Sequence, residues 1–331
     1  MTALLRQYWP TAQSIPRHDW SDFFFSALFA AVLFYLPWEQ LAGRPFEDRE
    51  VYLDTFLYQL PIIEDKSIAS FYEFFFNEAL WDIAVRSAVA DLGIPLPVLF
   101  GAITFLCLFL FGHFLVRRHG AAAALLLINP MVIDFAFSQL RMALGVSIVL
   151  LALTIRRRTL LYATIAVACF IHTAILLFIV MYLVAIQLGR RLRKWQVSPF
   201  VVALFAIGGG VLTALLAGPL RETLLSSVGD RRAEYTLAAV SLSYASFWIG
   251  LMLLAPMQNK TFFSEDANLF SVACIATFVF TTLLGVYGAR FIAATYPVLM
   301  SSMLSFGRPA REIAILAFFL YAGLQWHYWL Q

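Results

Sequence analysis

Apolar residues run through this chain in long blocks. They show neither the alternation of a half-buried strand nor the single stripe of a soluble surface helix. Blocks fall near 23–38, 98–116, 199–216, 236–255, 269–286, 291–306 and 313–329, each close to the ~20 residues a helix needs to cross a ~30 Å hydrocarbon core. Two blocks, 120–155 and 159–188, are longer. As a single helix the second would run about 45 Å, too long for one crossing. Both are flanked by positive clusters, which mark the cytoplasmic side of a membrane: Arg117/Arg118, Arg156/Arg157/Arg158 and Arg190/Arg191/Arg193/Lys194, with Arg308/Arg311 further on. Each segment between two such clusters must cross an even number of times. Folded into two arms of about 20 Å, the blocks are expected to form short helical hairpins dipping in from the cytoplasm. Asn129-Pro130 serves as a breaker near the apex of the first. The tips then carry residues 134–141 and His172.

Between the first two apolar blocks the pattern changes. Residues 39–91 hold eleven Asp and Glu against Arg44, Arg49, Lys66 and Arg86. Within 67–92, Phe71, Phe74, Phe75, Leu80, Ile83 and Val89 recur at helical spacing until Gly93 and Pro95 end the run. That predicts an amphipathic helix lying in the interface or capping a cavity. A second polar stretch, 219–235, is expected as an external loop, and Gly208-Gly209-Gly210 as a site of close helix packing. Arg6 and Arg17 precede the first apolar block, which lacks a small-residue cleavage site and is expected as a membrane anchor. The expected fold is an all-α polytopic membrane protein forming one domain over 1–331. It has about eleven crossings including the two hairpins (120–188), an external acidic loop (39–95) and a cytoplasmic N-terminus.

Composition supports this class: 62% of the 331 residues are apolar and only 13% charged, against about a quarter in soluble domains. Cys107, Cys169 and Cys274 all lie in apolar blocks, so no disulfide framework is indicated. No metal-ligand spacing, nucleotide-phosphate loop or serine elbow is present, and no metal or cofactor is expected. The basic clusters are topological and give no nucleic-acid surface.

Against this background a few polar residues stand out. Asp134, Gln139, Arg141 and His172 lie in segments otherwise fit for lipid, where an ionised group costs roughly 3 kcal/mol or more, so they are expected to face a protein interior or a wet cavity. Arg141 carries a planar fork of donors suited to phosphate. Arg290, in Tyr287-Gly288-Ala289-Arg290, is expected at the same external level, and the two would clamp a pyrophosphate; the alternative is pairing with a neighbour such as Asp134. His172 could bond phosphate, act as a base, orient a carboxylate, or simply bridge two helices. Arg44, Asp48, Tyr52 and Phe56 recur every four residues, on one helical face. Glu78 stands just before Ala79-Leu80-Trp81, a carboxylate beside an aromatic surface of the kind that holds sugars. Any one of the loop acids is more often simply solvated.

The order Asn129-Pro130, Gln139-Leu140-Arg141-Met142-Ala143-Leu144, a basic break, then Phe170-Ile171-His172-Thr173-Ala174 resembles the EpsG-like, Wzy-type family of bacterial polysaccharide polymerases. Arg44…Asp48…Tyr52 is similar to that family's first external loop, and Gly288-Ala289-Arg290 with Tyr296-Pro297 to its late arginine element. Glu78-Ala79-Leu80-Trp81 is similar to its Glu-Pro-Leu-aromatic element but departs at Ala79. The resemblance spans residues 40 to 300 and implies a GT-C-like enzyme of the bacterial inner membrane, with its site facing the periplasm. Such an enzyme joins undecaprenyl-pyrophosphate-linked oligosaccharide repeats, needs no cofactor, and works among membrane lipids beside a flippase and chain-length or export proteins. By that resemblance Arg141 and Arg290 hold the pyrophosphate, His172 supports it, and Asp48 or Glu78 activates the acceptor hydroxyl. Arg44, Tyr52, Trp81, Asp134, Gln139 and Tyr287 are candidate substrate contacts. A flippase for the same lipid-linked glycan, or a ligase or acyltransferase acting on glycans, is the alternative.

Overall fold

The computed structural model describes residues 20–58, 71–76, 78–153, 155, 157–218, 220, 241–286 and 288–331. Among these residues all regular structure is helical. Four helices are long and apolar enough to cross a membrane: α6 (Leu96–His119), α10 (Ala174–Lys194), α11 (Pro199–Ala217) and α13 (Asp266–Leu283). A bent pair, Ala121–Leu127 with α7 (Pro130–Ser138), passes the same test together. The chain is thus a helical protein of membrane type. It forms two compact units, one of described residues up to Ile179 with Trp326–Gln331, the other of Val180–Gln325.

In the first unit α1 (Trp20–Tyr35) lies along α6. Small residues make the approach possible, with Ser26 and Ala30 fully buried, and Phe23 and Phe34 meet Phe109 and Phe105 edge-on. Pro37 follows α1, and Trp38 opens the short α2 (Trp38–Ala42), so the first apolar helix ends before Trp38. Trp38 stacks on Trp326, with Trp329 edge-on to both, in the last turns of α15 (Arg308–Trp329). Such amphipathic rings are typical of a membrane interface.

The first hairpin has two breaks where one was expected. Ala121–Leu127 is a 3₁₀ stretch, bent 74° from α7. The Asn129 side chain accepts the Met131 N–H at 2.9 Å, and Pro130, with no N–H to lose, starts α7. The second break is Gln139, between α7 and α8 (Leu140–Ala152). A helical bond lost in a buried setting must be replaced, and the Thr104 hydroxyl donates to the Ala136 carbonyl at 3.0 Å. At 13 residues α8 reaches only about 20 Å, the short length expected of a hairpin arm.

The chain breaks at His172, where the sequence places the tip of the second hairpin, and α9 (Arg158–Ile171) packs along α8. His172 is extended, between α9 and α10. The second arm departs from the expected short one: α10 continues for 21 residues, about 32 Å, because its apolar run is unbroken to the basic cluster. Gly145 lets α8 approach this turn closely, since a Cβ there would lie 3.0 Å from Ile175 and 3.6 Å from the Ala168 carbonyl oxygen.

The acidic segment forms α3 (Glu47–Tyr58), α4 (Phe71–Phe76) and α5 (Ala79–Arg86), the last running into a π turn at Ser87–Asp91. The single amphipathic helix expected over 67–92 is therefore interrupted. Glu78 sits between α4 and α5 at φ 56°, ψ 37°, a left-handed conformation that no helix interior tolerates. Residues 59–70 and Asn77 lie outside the described residues.

The second unit is built on α13. Of the three glycines expected to permit close packing, Gly210 alone needs it. A Cβ there would press on the Ala273 carbonyl and come 2.5 Å from the Ala276 Cβ, whereas Gly208 and Gly209 meet nothing within 4 Å. Thr277 donates its hydroxyl to the Gly210 carbonyl across this crossing. On α12 (Leu242–Leu254) the Trp248 indole donates to the Tyr321 hydroxyl at 3.1 Å, and that hydroxyl donates to the Tyr244 carbonyl at 3.0 Å. Arg193 binds Asp266 at 2.9 Å and brackets the Phe263 and Ser264 carbonyls. The expected external loop 219–235 lies outside the described residues except for Leu220.

Candidate functional site

The chain interruptions of the first unit meet at Glu78. Its Oε1 accepts three hydrogen bonds: from His172 Nδ1 at 2.5 Å, the Thr173 backbone N–H at 3.0 Å and the Thr173 hydroxyl at 3.1 Å. Its Oε2 pairs with Arg141 Nη1 at 2.9 Å. The Arg141 Nε–H donates to the Tyr52 hydroxyl at 3.0 Å, and the guanidinium stands 5.3 Å over the Tyr52 ring. Four separate segments thus converge: α3 through Tyr52, the α4–α5 corner through Glu78, α8 through Arg141 and the α9–α10 turn through His172 and Thr173.

Each side chain is aimed by its local backbone. The left-handed turn at Glu78 swings its carboxylate off the helical path. The Gln139 break starts α8 afresh, placing Arg141 in a first turn whose N–H groups point toward incoming negative charge. The His172 break does the same for α10, and Glu78 caps that helix from outside by accepting the Thr173 N–H. One guanidinium, one imidazole and the start of α10 therefore surround one carboxylate.

Glu78 is buried, with its side chain 9% exposed, while the Arg141 side chain keeps 34% and His172 15%. Burial raises the Glu78 pKa, but the His172 hydrogen bond and charge, the Arg141 charge and the Thr173 N–H outweigh it and hold the carboxyl at about 2, down from 4.5. With both oxygens engaged and its proton affinity this low, Glu78 is poorly suited to remove a proton from a hydroxyl. It is well suited to hold an imidazole and a guanidinium in fixed orientations. The His172 ring donates Nδ1–H to the carboxylate, which turns Nε2 away from it, and Arg141 keeps Nη2 beyond the bonds to Glu78 and Tyr52.

Trp81 is a correction to the sequence reading. It is 1% exposed, packed against Tyr52 and Phe56 of α3 and stacked on Phe100 of α6, so no sugar reaches its face. Its apolar surface wedges α5 onto α3 and α6, which holds Glu78 and Tyr52 in place. Arg44 is also displaced from its expected position: it precedes α3 and lies 5.9 Å over the Trp329 ring. Asp48 is on α3, one turn before Tyr52, and half-buried. Asp134 is half-buried in α7; Gln139 is buried at the break, and its Oε1 takes no hydrogen bond from a described residue. Arg290 stands in the first turn of α14 (Ala289–Leu304), in the second unit. Tyr287 lies outside the described residues.

Thr173 is the participant that the sequence reading passed over. The signal was present, since a Thr immediately before an apolar helix is a common N-terminal residue. Among the described residues no group of three or more His, Cys, Asp or Glu side chains could share a metal ion. Comparison with family models, with curated proteins and with solved structures finds no match.

Proposed function

We propose that this protein is a membrane glycosyltransferase that joins undecaprenyl-pyrophosphate-linked oligosaccharide repeats at the outer face of the bacterial inner membrane. The product is a polysaccharide such as exopolysaccharide, capsule or O-antigen. The observation carrying this reading is the Arg141–Glu78–His172 cluster, built where apolar helices break off part-way through their course. A partly exposed arginine at the start of a half-span, supported by an imidazole, suits an anionic lipid-linked substrate arriving from the membrane. The leaving group is already good, so the protein's work is positioning and charge stabilisation.

In this reading Arg141 binds the pyrophosphate, and the full-length helices and half-spans add up to eleven crossings of GT-C type with a cytoplasmic N-terminus. Asp48 and Tyr52 face the glycan or its lipid carrier. A flippase and chain-length or export proteins work alongside. The test is Arg141→Ala at normal membrane levels in cells that depend on this protein for polymer. Single repeat units are expected to accumulate; polymer of normal length defeats the proposal.

A further inference from the structure

We infer that His172 is the general base of this site, acting through Nε2, and that Glu78 is its positioning residue. The inference rests on the glycosyltransfer reading and assigns the proton transfer within it. Glu78 Oε1 holds Nδ1 at 2.5 Å, and the same oxygen is fixed by the Thr173 N–H and hydroxyl, so the carboxylate cannot follow the ring if it turns. Arg141 fixes the second oxygen at 2.9 Å. A ring held by Nδ1–H carries its lone pair on Nε2, the arrangement that lets an imidazole accept a proton. Its 15% exposed side chain provides a face for an incoming hydroxyl. Among the described residues the ionisable group on the ring is Glu78, which also binds Arg141, with Tyr52 and Asp82 acting on Arg141.

In the step itself the acceptor hydroxyl gives its proton to Nε2, and its oxygen forms a bond to the anomeric carbon of the lipid-linked glycan. The bond from that carbon to the phosphate oxygen breaks, and the lipid pyrophosphate leaves with the electron pair. The imidazolium is stabilised by Glu78 until it returns its proton to the released pyrophosphate or to water.

Purified protein with lipid-linked repeats is the assay. If the wild type forms no polymer, the glycosyltransfer reading fails. If it does, His172→Gln is expected to lose about 100-fold or more in turnover with little change in KM for the lipid-linked unit. Glu78→Gln is expected to lose about tenfold in turnover, again with little change in KM. Unchanged turnover in His172→Gln overturns the assignment, and so does a loss confined to KM, which makes His172 a phosphate ligand. A second readout needs no substrate. Nitrogen-15 NMR of histidine-labelled protein at pH 8, with His172→Gln to identify the signal, is expected to show the Nδ1–H tautomer in wild type and its loss in Glu78→Ala, which removes the acceptor. An Nε2–H tautomer overturns the proposal whether or not polymer forms.

Discussion

The Arg141 Nε–H lies 3.0 Å from the hydroxyl of Tyr52, 89 residues earlier in the chain. That bond uses one edge of the guanidinium while Nη1 binds Glu78, so the plane of the fork is set from two sides. A single partner would leave it free to rotate about that bond.

Tyr52→Phe removes this acceptor and keeps the ring. A hydrogen bond to a charged group is worth about 1.5–3 kcal/mol, so the thermal midpoint is expected to fall by several degrees, and polymer synthesis by the folded, purified protein about tenfold or more as the Arg141 fork loses one of its two fixed edges. Full activity shows that Glu78 alone orients Arg141.

Acid should loosen the first unit. The folded-state pKa of Glu78 is about 2, below its ordinary 4.5, so the folded state binds this proton less readily than the unfolded chain. The stabilisation is complete above pH 4.5, declines as pH falls from there toward 2, and is gone below. Its size is roughly 3 kcal/mol. Detergent-solubilised wild type is expected to lose more thermal stability between pH 6 and pH 3 than Glu78→Gln, which lacks the titrating group. Parallel curves for the two proteins defeat this.

Trp81→Ala is expected to act through packing. Truncating a fully buried aromatic costs about 3–5 kcal/mol, enough to lower the thermal midpoint by many degrees. A variant of unchanged stability that loses activity alone would restore Trp81 as a sugar platform.

Two neighbouring glycines in the second unit make a paired test. Gly210→Ala drives a methyl into the Ala273 carbonyl and Ala276, costing about 1–3 kcal/mol as overpacking does. Gly209→Ala meets open space and improves helix propensity by up to about 1 kcal/mol. Thermal unfolding should therefore move in opposite directions for the two.

Much of this was legible in the sequence because membrane helices announce themselves by composition, and because ionisable residues in apolar runs are too costly to be accidental. Arg141 and His172 were found that way, and Glu78 as a carboxylate beside aromatic residues in the acidic segment. What the sequence did not disclose were backbone events. Nothing in Phe76-Asn77-Glu78-Ala79 forbids a continuous helix, so the left-handed turn that delivers Glu78 was invisible. Gln139 breaks a helix without Pro or Gly, where the replacement bond comes from Thr104, distant in sequence. Trp81 was misjudged because a carboxylate beside an aromatic looks the same whether the ring faces sugar or core. That distinction depends on α3 and α6, which the local sequence does not contain.

The stack of Trp38 on Trp326 has a practical side. It ties the exit of the first apolar helix to the final turns of the chain, so both ends occupy one compartment. An accessibility tag within residues 43–45 and an enzyme reporter fused behind Gln331 must then give the same answer, and a single enzymatic reporter suffices to orient them both.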